Sequence, residues 1–437
     1  MPGIDRRGFL VRTGLALGAT VLAGKLPGVL AAPSIKGSLD SWEGVRAQFP
    51  LSRDLIHLAG FFLASHPTPV REAIERHRAG LDADPIGYWF EHEEQQEARV
   101  LRAAADYLSV DPTEIALTDS TTMGLGLLYG GLRLREGQEI LTTSHDHYST
   151  ETSLRLRAER TGATVRQIPL YQALTAVSRE QLAENLVKHV DAKTRVVAVT
   201  WVHSSTGLKL PIQEMGRAIA RINRSRAEQD RVIFCVDGVH ALGVEDFRLG
   251  ELGCDFLVAG THKWMFGPRG TGLVWGHPRA WPVVNAVIPT FNTQAYDMWM
   301  KVTPPKELPQ AVYMTPGGFH SFEHRWALDE AFTFHQAIGK SRVAQRISEL
   351  NQLLKQGLAV MSHVTLHTPL SQDLSAGIVC FEVAGMTPQL VVERLRQHGI
   401  VGSVTPYATQ YARLAPGLLN SASEIERTLE VIRNLRA

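Results

Sequence analysis

The segment AGTHKWMFGPRGTG, Ala259 to Gly272, decides how this chain is read. It sets a histidine beside a lysine, follows them with an aromatic and places three glycines within six residues. The preceding FLVAG, 256–260, is a short apolar run of strand character. A lysine is normally a solvated residue. One held directly behind a buried strand end is desolvated, its pKa falls and it becomes able to form an imine. An ordinary turn lysine is the competing reading, and the rest of the chain decides between them.

Working outward, FLVAG is one of a series of similar runs. EIALT (114–118), EILTT (139–143), TVRQIPL (164–170), RVVAVTWV (195–202), RVIFCVD (231–237) and TGLVWG (271–276) are the others, separated by helix-like stretches. Continuous apolar runs alternating with helices describe a sheet covered on both faces. The class that follows is α/β, with a mostly parallel, seven-stranded sheet. A loop rich in proline and aromatics, about 289–316, breaks this rhythm. Beyond it come a helical stretch to about Lys355, the strand-like GIVCFEV (377–383) and two more helices, read as a smaller C-terminal α+β domain. The predicted division is 32–70 as an N-terminal segment, 71–290 as the large domain and 291–437 as the small one.

Residues 1–31 read as a secretory signal rather than as part of the fold. Arg6-Arg7-Gly8-Phe9-Leu10 precedes a moderately apolar, glycine-rich stretch and then small residues near Ala31. The paired arginines resemble the twin-arginine type, which predicts export to the periplasm by that machinery and no membrane anchor in the mature chain. With 45 basic and 44 acidic residues, net +1, nothing in the charge balance calls for nucleic acid or an anionic membrane as partner. The three cysteines, Cys235, Cys254 and Cys380, lie in strand-like surroundings. They read as buried thiols, and no metal-binding spacing is present.

Four clusters stand at the C-terminal ends of strand-like runs, where open α/β sheets bind their ligands. Ser120, Thr121 and Thr122 open a helix and offer hydroxyls and free N–H groups to an anion; a plain helix cap is the alternative. His145-Asp146-His147-Tyr148 supplies a ring to stack on a flat cofactor, or is simply a polar loop. Asp237 ends a buried strand, with His240 three residues on; a buried acid needs a positive partner. Lys263 completes the set. An anion cradle, a stacking ring, a carboxylate for a pyridinium nitrogen and an imine-forming lysine together match one cofactor, pyridoxal 5′-phosphate.

These residues resemble the class V aminotransferases, pyridoxal-phosphate enzymes of fold type I that include isopenicillin N epimerase-like proteins, cysteine desulfurases and kynureninases. VDGVHALG, THKWMFGPRGTG, WVHSSTGLKLPI and the closing YARLAPGLLNSASEIERTLEVI are each similar to a family segment. The resemblance implies that Lys263 holds the cofactor as a Schiff base and moves the substrate Cα proton. Asp237 would pair with the ring nitrogen. His240 and Ser204 would lie near the 3-hydroxyl, and Thr121, Thr122 and His262 at the phosphate. Tyr148 falls where the family places its stacking and catalytic ring, with His147 beside it. Arg413 would bind the substrate carboxylate. A homodimer is implied, although Phe319 replaces the threonine that relatives direct at a neighbouring subunit. Gly260 stands where relatives carry a phosphate-binding serine.

The stretch before Arg413 contains no cysteine, which argues against desulfurase chemistry. Export combined with epimerase-like motifs is similar to the periplasmic branch of the family that modifies the glutamate side chain of pyoverdine-type siderophores. That substrate is the expectation. An exported aminotransferase or epimerase acting on a free amino acid or peptide is the second reading. A catalytically silent binding protein is the third, against which the retention of Lys263, Asp237 and Arg413 counts.

Overall fold

The structure is a computed structural model that describes residues 38–174 and 177–436. The signal read at 1–31 lies outside the described residues. Its centre is a seven-stranded sheet formed by β1 (Ile115–Thr118), β2 (Glu139–Thr143), β3 (Thr164–Ile168), β4 (Thr194–Thr200), β5 (Ile233–Asp237), β6 (Phe256–Gly260) and β7 (Gly272–Gly276), in the order β1-β7-β6-β5-β4-β2-β3. Strand β7 is antiparallel to both neighbours; the other pairings are parallel. All seven runs read from the sequence are strands of this sheet, and the mostly parallel architecture holds.

The apolar runs are continuous because each face of the sheet has its own core. Leu117, Val197, Val199, Phe234, Val236, Leu257 and Ala259 point into one cluster. Their alternates Ala116, Val196, Ala198, Cys235, Phe256 and Val258 point into the other. The period of two along a strand divides the residues between faces, and helices cover both. Helix α1 (Thr121–Gly131) and α2 (Tyr148–Thr161) follow β1 and β2 directly. Cys235, Cys254 and Cys380 are buried free thiols.

The small domain carries a four-stranded antiparallel sheet of Val364–Leu366, Val379–Val383, Ser403–Val404 and Ala412–Leu414. Phe381, Val379 and Leu414 pack there against the helices Lys340–Ala359 and Ala422–Asn434 through Leu354, Leu358, Leu429 and Ile432. Packing on the large sheet continues past residue 291. Ala311 and Met314 lie in one core of the large sheet, and Leu328, Phe332, Phe334, Val343 and Ile347 in the other. The small domain's own core starts near Leu350 and also takes in Ile56 and Leu58 from the N-terminal segment, whose strand pairs in parallel with Ile400–Val401. The long helix Lys340–Ala359 contributes to both cores, and Leu374, Ala376, Ile378, Cys380, Ala415 and Leu418 of the later chain still pack into the large one. Among the described residues no helix is long and apolar enough to cross a membrane.

Candidate active site

Parallel strands deliver their C-terminal ends to one edge of the sheet, and β1 shares their direction because two antiparallel steps through β7 cancel. Five such ends, those of β1, β2, β4, β5 and β6, surround a cavity of about 230 Å³. Its walls include Thr121, His147, Ser204, Asp237, Lys263 and Arg413, so residues far apart in sequence converge. The turn that presents Lys263 is tight: Gly267 N–H donates to the Thr261 carbonyl at 2.8 Å, and a Cβ on Gly267 would come within 2.9 Å of that oxygen.

Lys263 Nζ lies 3.4 Å from His240 Nε2. The indole of Trp264 donates to His240 Nδ1 at 3.3 Å, and its own carbonyl accepts from His335 Nε2 at 2.9 Å. This bond assigns the tautomer of the neutral imidazole: Nδ1 accepts, so Nε2 carries the proton and faces the lysine. Burial holds His240 well below the ordinary histidine pKa, with Lys263 and Arg413 adding to the effect. The same burial brings Lys263 down to about 8, helped by Arg413 and opposed by Asp237. A lysine poised this close to neutrality has a lone pair available as a nucleophile.

Asp237 is 2% exposed. Burial lifts its pKa to about 6; the Val239 N–H and Lys263 pull it down, and the nearby Asp146 carboxylate pushes it up. Val239 N–H donates to Oδ1 at 3.1 Å, and among the described residues nothing donates to Oδ2. That oxygen suits a protonated ring nitrogen. Asp146 was not singled out by sequence reasoning, yet it is the better satisfied acid. It accepts from Thr142 Oγ1, Thr143 N and Thr143 Oγ1 at 2.9, 2.8 and 2.7 Å, and from Thr200 N at 2.5 Å. It thereby ties the ends of β2 and β4 together beside the cavity. Its flanking histidines drew the reading to the rings instead.

The anion cradle sits at the start of α1. Ser120 caps the helix, accepting from Met123 N–H at 3.1 Å. Thr122 Oγ1 meets Ser149 Oγ at 3.0 Å, and Thr121 Oγ1 accepts from Gly260 N–H at 2.8 Å. Above them, His262 Nδ1 is buried with no partner among the described residues. A helix N-terminus, hydroxyls and an orphaned ring nitrogen together favour a phosphate group. Gly260 is explained by crowding: a Cβ there would stand 2.9 Å from Thr121 Oγ1 and 3.0 Å from the His262 ring. The Thr121 hydroxyl occupies the space beside Gly260.

Tyr148 requires a correction. It is the first residue of α2 and is 72% exposed, with its ring outside the cavity wall. His147, the helix cap, lines the cavity instead, its Nδ1 accepting from Ser149 N–H at 3.2 Å. The turn into α2 places the cap residue inward and the next residue outward, so the ring that lines this cavity is imidazole and Tyr148 lies outside it. Burial, Lys263 and Arg413 keep that imidazole below its ordinary pKa.

Arg413 enters from the small domain. It is 3% exposed and lies over the Phe61 ring at 4.4 Å. Nη1 donates to the Ser204 carbonyl at 2.9 Å and Nε to Ser403 Oγ at 3.1 Å. Among the described residues no acidic side chain pairs with it, so a buried guanidinium faces the cavity without its counter-ion. Ser204 Oγ bonds to Tyr407 Oη at 2.7 Å. Phe61 and Tyr407 were illegible in the sequence, since both arrive from distant loops. All the other predicted site residues (Lys263, Asp237, His240, His262, Thr121, Thr122, His147, Ser204 and Arg413) meet at this cavity.

The set fits pyridoxal phosphate on the structure's own terms: the free Asp237 oxygen, the orphaned His262 nitrogen at a helix start and the depressed Lys263. Comparison with known proteins agrees. The family model described as Aminotransferase class-V matches residues 91–404. Isopenicillin N epimerase from Streptomyces clavuligerus is 25% identical over 403 residues, covering 90% of this chain and 97% of that protein. A probable cysteine desulfurase from Halalkalibacterium halodurans is 29% identical over 291 residues, 66% of each chain. Among solved structures, the cystine C–S lyase C-DES in complex with cysteine persulfide shares the fold, with a TM-score of 0.78 at 24% identity over 89% of this chain and 99% of its own. The chain belongs to the class V aminotransferases, pyridoxal-phosphate-dependent enzymes of fold type I.

Proposed function

We propose that this protein is an exported enzyme that acts on the amino group of a carboxylate-bearing substrate, with the glutamate side chain of a pyoverdine-type siderophore as the preferred target. The carrying observation is Arg413, a buried cation without an acidic partner, facing the same cavity as Lys263 and Asp237. Bound at Lys263, pyridoxal phosphate supplies an electron sink conjugated to the substrate Cα. Thr121, Thr122, His262 and the start of α1 would hold its phosphate, Asp237 its ring nitrogen and His147 its face. Arg413 orients the substrate carboxylate through its fork of donors. Lys263, returned to its near-neutral amine, takes and returns the proton at Cα, with the His240 N–H holding it in place. Phe61, Trp264 and the closure of the small domain over Ser204 keep water from the reacting atoms.

The arginine pair at Arg6-Arg7 supports export by the twin-arginine route. A homodimer is part of this reading and is supported by exposed aromatics: Phe319 at 83%, Trp299 at 73% and Phe62 at 66%. Among the described residues the cavity walls hold no cysteine, which counts against desulfurase chemistry. The test is mass spectrometry of secreted siderophores with and without the gene. A glutamate side chain left unmodified in its absence is the expected result; an unchanged profile rejects this substrate. The similarity to isopenicillin N epimerase favours a second reading, epimerisation. It predicts deuterium uptake at Cα from heavy water with no loss of amine.

A further inference from the structure

Ser204 belongs to the large domain, yet the small domain grips it twice. Arg413 Nη1 donates to its carbonyl at 2.9 Å, and Tyr407 Oη lies 2.7 Å from its hydroxyl. Tyr407 sits in a loop closed at its base by two bonds, Thr405 N–H to the Tyr411 carbonyl at 3.0 Å and Tyr411 N–H to Thr405 Oγ1 at 2.9 Å. Pro406, Ala408, Thr409 and Gln410 around it are exposed, whereas Tyr407 is half-buried with its ring edge-on to His147 at 6.3 Å. We propose that Tyr407 is a positioning residue that locks Ser204, and through it Arg413, in the orientation needed to receive a substrate carboxylate.

Burial raises the Tyr407 pKa, so the phenol stays neutral. Either hydroxyl can donate in the bond between Tyr407 Oη and Ser204 Oγ, and in both senses it fixes the Ser204 side chain at the cavity that Ser204 lines. The Ser204 backbone, held by that bond, keeps its carbonyl on Arg413 Nη1. Substrate contact stays with Arg413, which Ser204 holds through its carbonyl, and Tyr407 acts through Ser204. The inference rests on the reading that Arg413 binds the carboxylate.

The test uses cofactor-loaded protein and two probes, L-glutamate and n-butylamine, with binding followed by calorimetry. Tyr407→Phe is expected to weaken L-glutamate about tenfold, the worth of one hydrogen bond, and to leave n-butylamine within about twofold. In a Ser204→Ala background the same change should add less than about twofold, because the two act as one unit. Independently, deuterium exchange at residues 403–413 of cofactor-free Tyr407→Phe should run about tenfold faster than in the wild type. Unchanged binding with unchanged exchange overturns the proposal. So does equal weakening of both probes, which would mark Tyr407 as purely structural. If wild-type protein binds neither probe, the functional reading fails, and the exchange measurement alone decides whether Tyr407 holds Ser204.

Discussion

The pKa of Lys263 sets a quantitative expectation for cofactor loading. An ordinary lysine titrates at 10.5, and burial with Arg413 nearby brings this one to about 8. At pH 7 the free amine is then about 300-fold more abundant than on an unperturbed lysine. The loading rate of cofactor-free protein should rise about tenfold per pH unit up to about 8 and then level off. At the acid end Asp237 takes up a proton as pH falls through about 6, loses its attraction for a protonated ring nitrogen and retains the cofactor less well. The signs also fix a stability window. Asp237 has a raised pKa, so its contribution to folding is lost as pH rises through 6. Lys263 has a lowered pKa, so its contribution is lost as pH falls through 8. Cofactor-free protein therefore bears both buried charges between those values, and loading should raise the melting temperature most near pH 7. Stopped-flow absorbance after adding pyridoxal phosphate, with melting curves across pH, measures both. A rate that keeps climbing to pH 10 without a break refutes the depressed lysine.

Replacing Arg413 with methionine removes the counter-ion for the carboxylate; KM for an amino-acid substrate should rise about thirty- to hundredfold while the cofactor remains bound, measured by steady-state kinetics beside the visible spectrum. Gly260→Ser places a side chain against Thr121 Oγ1 and His262, and equilibrium dialysis should show cofactor affinity falling about tenfold. His147→Ala should weaken the cofactor by a similar factor of about ten, whereas Tyr148→Ala, at a 72% exposed position, should leave it within about twofold.

Much of this molecule was legible because it obeys strong local rules. A sheet buried on both faces writes itself as unbroken apolar runs, and a charged residue at or just past the end of such a run, as at Asp237 and Lys263, has few explanations. Where the reading failed, the missing information was three-dimensional. His147 and Tyr148 are adjacent and both have rings; only the turn into α2 decides which one faces the cavity. Gly260 looked like a lost hydroxyl until Thr121, on another strand end, filled the same space. Asp146 was hidden between two more conspicuous histidines. Phe61 and Tyr407 come from segments with no motif, one N-terminal and one in the small domain, and gain a role only where both pack beside Arg413 and Ser204. The proline-rich loop marks a change in composition, and helices beyond it still pack on the large sheet.

The arrangement of five strand ends around one cavity has a consequence for biogenesis. Thr121, His147, Ser204, Asp237 and Lys263 come from five separate strand ends, and Arg413 from the other domain. No partial fold holds more than a fraction of these groups, and each fraction binds weakly alone. Tight capture of the cofactor is thus a checkpoint on the finished chain: a molecule that retains the colour has already brought five strand ends and the small domain together.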